Sequence, residues 1–163
     1  MSSAIRSSAR SSARMPVYLT NATRKSGLDV RAIERTAADL LAAVGERDSS
    51  VSISFVRDPK IRELNRAFRG QDKPTDVLSF PLVEPGDAYP GAERLLGDIV
   101  ISLDTARRQA ADYDAPLGRE VERLLIHGLL HLLGHDHLET GERRAMEAEE
   151  RRLADVIGMP WPY

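Results

Sequence analysis

Residues 127–137 read HGLLHLLGHDH, and the spacing inside this stretch decides how the rest of the chain is read. His127 and His131 are four positions apart, so on a helix their side chains lie about 40° apart on one face, one turn above the other. Gly134 is the residue type that ends helices by taking a left-handed conformation at low cost. His137 then comes from the segment that has turned back. Two imidazoles from a helix and one from the loop after it supply three ligands of a tetrahedral zinc, with a fourth position left for water. The plainer alternative is a set of unrelated core or surface histidines. Against it, the chain has only four histidines and all of them fall in this window.

The approach to the histidines, VERLLIHGLLHLLG (121–134), is dense in leucine. A helix of this composition is buried on most sides, and burial lets it hold two ligands rigidly while excluding water. Leu124, Leu125, Leu129, Leu130, Leu132 and Leu133 are read simply as core. The pattern His-x3-His-x2-Gly-x2-His is also that of the metzincin proteases, which place a glutamate directly after the first histidine as general base. Here that position is Gly128. Glycine costs about 1 kcal/mol in a helix interior, so its presence implies that backbone or substrate needs the space, and peptide hydrolysis by the usual route has no base. His135 is a further candidate ligand, although His137 has the better spacing. Asp136 either accepts an imidazole N–H and orients a ligand or caps the helix that begins near Glu139.

The chain has 163 residues, which suits one domain. Residues 1–14, MSSAIRSSARSSAR, hold too little apolar surface to form a packed element and read as a disordered tail, leaving 15–163 as a single domain. A transit peptide shares this Arg- and Ser-rich character; a solvated tail, or a start at Met15, are the plainer readings. With no apolar run of transmembrane length and no signal-peptide core, a soluble, cytoplasmic protein with no membrane partner is expected. The chain has no cysteine, so disulfides and thiolate ligands are excluded and any metal must be held by His, carboxylate and water. The net charge of −2 becomes −5 without the tail's three arginines, which argues against a protein that coats nucleic acid generally but leaves room for a local basic patch.

Working outward, VYLTNA (17–22) reads as a strand and residues 28–44 have helical apolar spacing. VSISFV (51–56) alternates strictly, the mark of a half-buried strand. Asp58-Pro59 opens a helix to about Phe68, with the aspartate as cap and the proline in the first turn. DVLSF (76–80) and GDIVISL (97–103) are further strands separated by a loop over 83–94, and the Ile99, Val100, Ile101 run predicts burial on both faces. Helices are expected over 104–113, from Pro116 through the histidines, and over roughly 139–157. The sum is an α+β fold, a single compact domain of about four strands in a mixed sheet and about five helices, with a zincin-like metal helix.

On the helix from Asp58 to Phe68, Ile61, Leu64 and Phe68 form one face, while Arg62, Arg66 and Arg69 cluster about 100° or more away. Lys73 extends the positive run into the loop. Such a stripe is either the solvated side of the helix or a set of phosphate contacts, and for Arg62 and Arg66 both readings stay open.

ELNRAFRGQDKPTDVLSFP (63–81), LLGDIVIS (95–102) and HGLLHLLGHDH (127–137) together resemble the YbeY family of bacterial endoribonucleases that mature ribosomal RNA. The resemblance runs in order from about Met15 to Ile157. It implies that His127, His131 and His137 hold one Zn2+ per chain and that Arg69 is the arginine that matters for RNA processing. It further implies a single-strand-specific endoribonuclease in 16S rRNA 3′-end maturation and ribosome quality control. The implied partners are rRNA in the small ribosomal subunit, a ribosome-associated GTPase and a small-subunit ribosomal protein. The chain departs from the family at His135, where the family usually has tyrosine. Two alternatives remain at this level: a non-enzymatic assembly factor with structural zinc, and a metalloprotease, which Gly128 argues against.

Overall fold

In the computed structural model, which describes residues 17–20, 26–83, 94–136 and 138–160, the alternating stretch forms the second of four strands. The 1–14 tail, most of the 83–94 loop and His137 lie outside the described residues. Strand β1 is Val17–Thr20, and β2 (Ser49–Val56) turns Val51, Ile53 and Phe55 inward. Strand β3 is Val77–Pro81 and β4 is Arg94–Ser102. Both β1 and β4 run parallel to β2, and β3 runs antiparallel along the outer side of β4. The order β1-β2-β4-β3 makes a mixed sheet with β3 as an edge.

Side chains alternate across a strand, so the apolar run in β4 must serve two cores. Ile99 and Ile101 pack into the larger one, whereas Val100 points the other way onto Ile61 and Leu78. Helices α1 (Val30–Ala43), α3 (Leu103–Asp112), α4 (Leu117–Leu132) and α5 (Thr140–Val156) contribute to the larger core through residues such as Leu40, Ala106, Leu124 and Leu153. Helix α2 (Asp58–Arg69) covers the opposite face with Ile61 and Leu64. Among the described residues the chain is thus one α+β domain of four strands and five helices, and none of these helices is long and apolar enough to cross a membrane.

Helix α4 is the deepest element. Val121, Leu124, Leu125, Ile126, Leu129 and Leu130 are each at most 3% exposed. Burying a side chain of this size stabilises by about 1.5–3 kcal/mol, so the position of α4 is fixed by the core and its half-buried histidines are carried on a rigid support. The helix ends at Leu133, and Gly134 follows at φ +92°, the left-handed stop that the sequence predicts.

The start of α2 differs from the expectation. Arg57, not Asp58, occupies the cap position and makes no side-chain cap bond. Asp58 lies one residue further in, and its carboxylate accepts from Ser102 Oγ (2.6 Å), Thr105 Oγ1 (2.7 Å) and Arg108 Nη2 (2.8 Å). In exchange, Asp104 of α3 accepts from the Asp58 backbone N–H (2.9 Å). Each helix therefore lends a carboxylate to the positive N-terminus of the other. Burial pushes the Asp58 carboxyl up, but the bonds from Ser102, Thr105 and Arg108 outweigh this and hold it below its ordinary value.

A carboxyl held low in the folded state contributes stability above its ordinary range, and that stability is lost as pH falls through the lowered value. Asp58→Ala is expected to cost about 1–3 kcal/mol at neutral pH, since the fully buried Ser102 hydroxyl loses its acceptor. The wild-type advantage should shrink steadily on acidification below about pH 4. Denaturant unfolding at a series of pH values measures both, and a gap that stays constant with pH refutes the assignment.

At its other end α2 stops at Gly70, which takes φ +67° while its N–H bonds back to Arg66 and Asn65. The buried Asn65 side chain then donates to the Lys73 carbonyl (2.8 Å) and pins the loop that leads into β3. This bond sets the position of Arg69 and of the residues after it relative to α4.

Candidate functional site

A cleft of about 510 Å³ opens between the edge strand β3 and the C-terminal half of α4. Thr75, Ser79 and Pro81 form one wall, His127 and His131 the other, and Arg69 closes one side. The Nε2 atoms of His127 and His131 lie 3.0 Å apart, with the rings edge to face at a centroid distance of 4.5 Å. Two nitrogens on a tetrahedral zinc, each at about 2.0–2.1 Å, stand roughly 3.3 Å apart. The pair therefore fits a shared metal with a shift of a few tenths of an ångström, and an all-nitrogen donor set suits zinc. His137, the third expected ligand, lies outside the described residues. Among the described residues no third His, Cys, Asp or Glu forms a ligand cluster with the pair.

Glu150 of α5 was not found by sequence reasoning. Its carboxylate, 12% exposed, stands 3.5 Å from His127 Nδ1. A carboxylate there favours the tautomer with the proton on Nδ1, which leaves the Nε2 lone pair facing the cleft, the arrangement a metal ligand needs. One signal was available. On a helix, Glu150 falls in phase with Met146, Leu153 and Ala154, the buried stripe of α5. A glutamate on an apolar stripe calls for a partner. Glu150→Gln is expected to lower zinc affinity about 10- to 100-fold with little change in fold, measured by competition with a chromophoric chelator. Unaltered affinity refutes the orienting role.

Asp76 is the second group missed, hidden inside a segment that reads as ordinary strand. It lines the cleft, its Oδ1 accepts from the Val77 N–H (2.8 Å) and its Oδ2 from Gln109 Nε2 (3.2 Å). Arg123 Nη2 lies 3.7 Å from the same oxygen and also binds the wholly buried Glu120 through its Nε, at 3.0 and 3.2 Å. An unpaired carboxylate at that depth is very unfavourable, so Glu120 fixes Arg123, and Arg123 in turn faces the cleft carboxylate.

His135 and Asp136 also line the cleft. The hydrogen bond from Arg152 holds the Glu149 carboxyl of α5 below its ordinary value. The arginine stripe divides. Arg62 forms a two-pronged pair with Asp72, at 2.9 and 3.2 Å. Arg66 and Lys73 are exposed and stand outside the cleft walls, whereas Arg69 is part of them. Among the described residues the Arg69 guanidinium makes no hydrogen bond or ion pair, so it is available to a ligand.

The space at Gly128 is needed by the sheet. A Cβ there would lie 2.9 Å from Ile99 Cγ2 and 3.2 Å from Ser79 Oγ, and the same Ser79 hydroxyl donates to the Gly128 carbonyl (3.0 Å). Position 128 thus faces β3 and β4, one helical step away from the histidine face. A glutamate has no room there.

Comparison with known proteins identifies the family. The family model for endoribonuclease YbeY matches residues 18–158. The chain is 47% identical to the endoribonuclease YbeY of Anaeromyxobacter sp. (strain Fw109-5) over 145 residues, 89% of this chain and 73% of that protein. It is 41% identical to the endoribonuclease YbeY of Alkaliphilus metalliredigens (strain QYMF), covering 89% of this chain and 98% of that one. The fold is similar to the solution structure of TM1509 from Thermotoga maritima, with a TM-score of 0.59 and 28% identity over 86% of this chain and 88% of that one. The chain belongs to the endoribonuclease YbeY family.

Proposed function

We propose that this protein is a zinc-dependent endoribonuclease that cuts single-stranded RNA, with 16S rRNA 3′-end maturation and ribosome quality control as its setting. One observation carries the reading: Arg69, which makes no hydrogen bond or ion pair among the described residues, and two histidines with converging Nε2 atoms form the walls of one cleft. The relatives' shared name, endoribonuclease YbeY, supports the choice of RNA as substrate. His127, His131 and His137 would hold the zinc, which when bound supplies Lewis-acid activation.

The protein's own groups divide the remaining work. The planar Arg69 fork suits the oxygens of a phosphate, which it holds in place and whose developing charge it stabilises. Glu150 keeps His127 in the required tautomer. The buried leucines of α4 hold both imidazoles still and keep water from behind them. The lack of room at position 128 removes the base on which a metzincin-type peptidase depends.

The test joins elemental analysis of the purified protein to cleavage of a single-stranded RNA oligonucleotide. About one zinc per chain, with cleavage abolished by chelator and restored by added zinc, is the expected result. Zinc present without any cleavage favours the assembly-factor reading, and cleavage indifferent to chelator refutes metal dependence.

A further inference from the structure

Phe68 is 67% exposed, on the last turn of α2 beside Arg69. Its ring meets Phe80 edge to face, with centroids 5.1 Å apart and planes at 66°. Phe80 in turn packs with Leu64 on the small core of Ile61, Leu78 and Val100. One edge of the Phe68 ring is therefore held, while most of its surface is open to solvent. Single exposed apolar residues are ordinary, so exposure alone decides nothing.

The surroundings of the ring do. Arg66, Arg69 and Lys73 are all exposed within five positions of it, and Arg69 belongs to the cleft wall. An apolar protein partner would have to strip water from these cations, whereas a polyanion neutralises them. Interleaved cations and a braced aromatic ring form the surface that unpaired nucleotides bind, with phosphates on the charges and a base on the ring. Phe80 points to the opposite face of β3 from Ser79 and Pro81, two residues of the cleft wall, so the aromatic pair and the histidine cleft lie on the two sides of one edge strand, and Arg69 links them.

We infer that Phe68 is a stacking platform for one unpaired base of the substrate, next to the phosphate held by Arg69. The inference rests on the RNA-cleaving reading above. Stacking needs only a π face, so the platform accepts any base but requires that base to be out of a helix. It thus makes the enzyme selective for single strands while adding no sequence readout.

The experiment measures affinity and cleavage of a single-stranded RNA oligonucleotide by wild type, F68A and F68Y, with an abasic nucleotide moved stepwise along the strand. Wild type should bind and cut, F68A should bind about 5- to 150-fold more weakly, and F68Y should stay near wild type. At one position the abasic substitution should weaken wild type yet cost F68A nothing further, the signature of a direct contact. The thermal midpoint should barely move, because the ring is exposed. If wild type binds and cuts but F68A matches it, the platform is refuted while the endoribonuclease reading stands. An F68A loss with no matching abasic position equally refutes it, as an indirect effect of the ring. If wild type neither binds nor cuts single-stranded RNA, both readings fall together.

Discussion

His131→Ala is expected to empty the protein of zinc, from about one ion per chain to less than a tenth, while leaving the fold in place. The two Nε2 atoms are 3.0 Å apart on adjacent turns, so they chelate, and neither alone keeps a metal against dilution. Alanine is the best helix former, and position 131 is only half-buried, so α4 should survive the change. Its position is set by Leu124, Leu125, Ile126, Leu129 and Leu130, all buried and none of them a candidate ligand. Far-ultraviolet circular dichroism should be superimposable on wild type, and elemental analysis should show the loss. RNA cleavage should vanish with the zinc and fail to return at modest added zinc. Zinc content equal to wild type overturns the assignment of the site, since a metal that ignores His131 is bound elsewhere.

How far such a site was legible in the sequence depends on the range of the interactions that build it. Periodicity reports the faces of single elements, and there it served well. The alternation of VSISFV gave β2, and the Ile99-Val100-Ile101 run gave a strand between two cores. The histidine spacing gave a helix carrying two imidazoles, and all five helices lie where the sequence reading put them, within a residue or two at most ends. Strand ends were less legible, because they are set by partners. Ser49 and Ser50 have no strand signal of their own, yet they pair with Arg94 and Leu95 before a register shift, so β2 begins earlier than Val51. Contacts between elements were not legible at all. Asp58 looked like a cap and is instead a bridge to α3. Glu150 drew no attention within the expected 139–157 helix, and the packing of α5 on α4 brings it to His127. Gly128 advertised a need for space without saying whose, and the sheet proves to be the claimant. The third expected ligand, His137, lies outside the described residues, so its place in the site rests on the spacing that first proposed it.

Arg69→Glu should lower cleavage by at least 10²- to 10³-fold, while zinc content and thermal stability stay close to wild type. Loss of one preorganised donor to developing negative charge costs about that factor in kcat, and reversing the charge adds repulsion of the phosphate. The fold should not notice, because among the described residues the Arg69 side chain makes no hydrogen bond or ion pair whose loss would be felt. Arg69→Lys separates shape from charge: lysine keeps the positive charge but not the planar fork, so an intermediate loss of rate is expected. Arg62→Glu is the contrasting case. Arg62 is paired with Asp72 on the exposed side of α2, so its reversal should weaken RNA binding modestly and flatten the salt dependence, with the cleavage rate at saturating RNA preserved. Single-turnover cleavage at saturating RNA, repeated at several salt concentrations, distinguishes the two positions. If Arg69→Glu unfolds the chain, the residue is structural and has no part in the chemistry. If both reversals act only through salt-dependent affinity, Arg69 is one more backbone contact, and the charge building on the phosphate must be met by another group in the cleft.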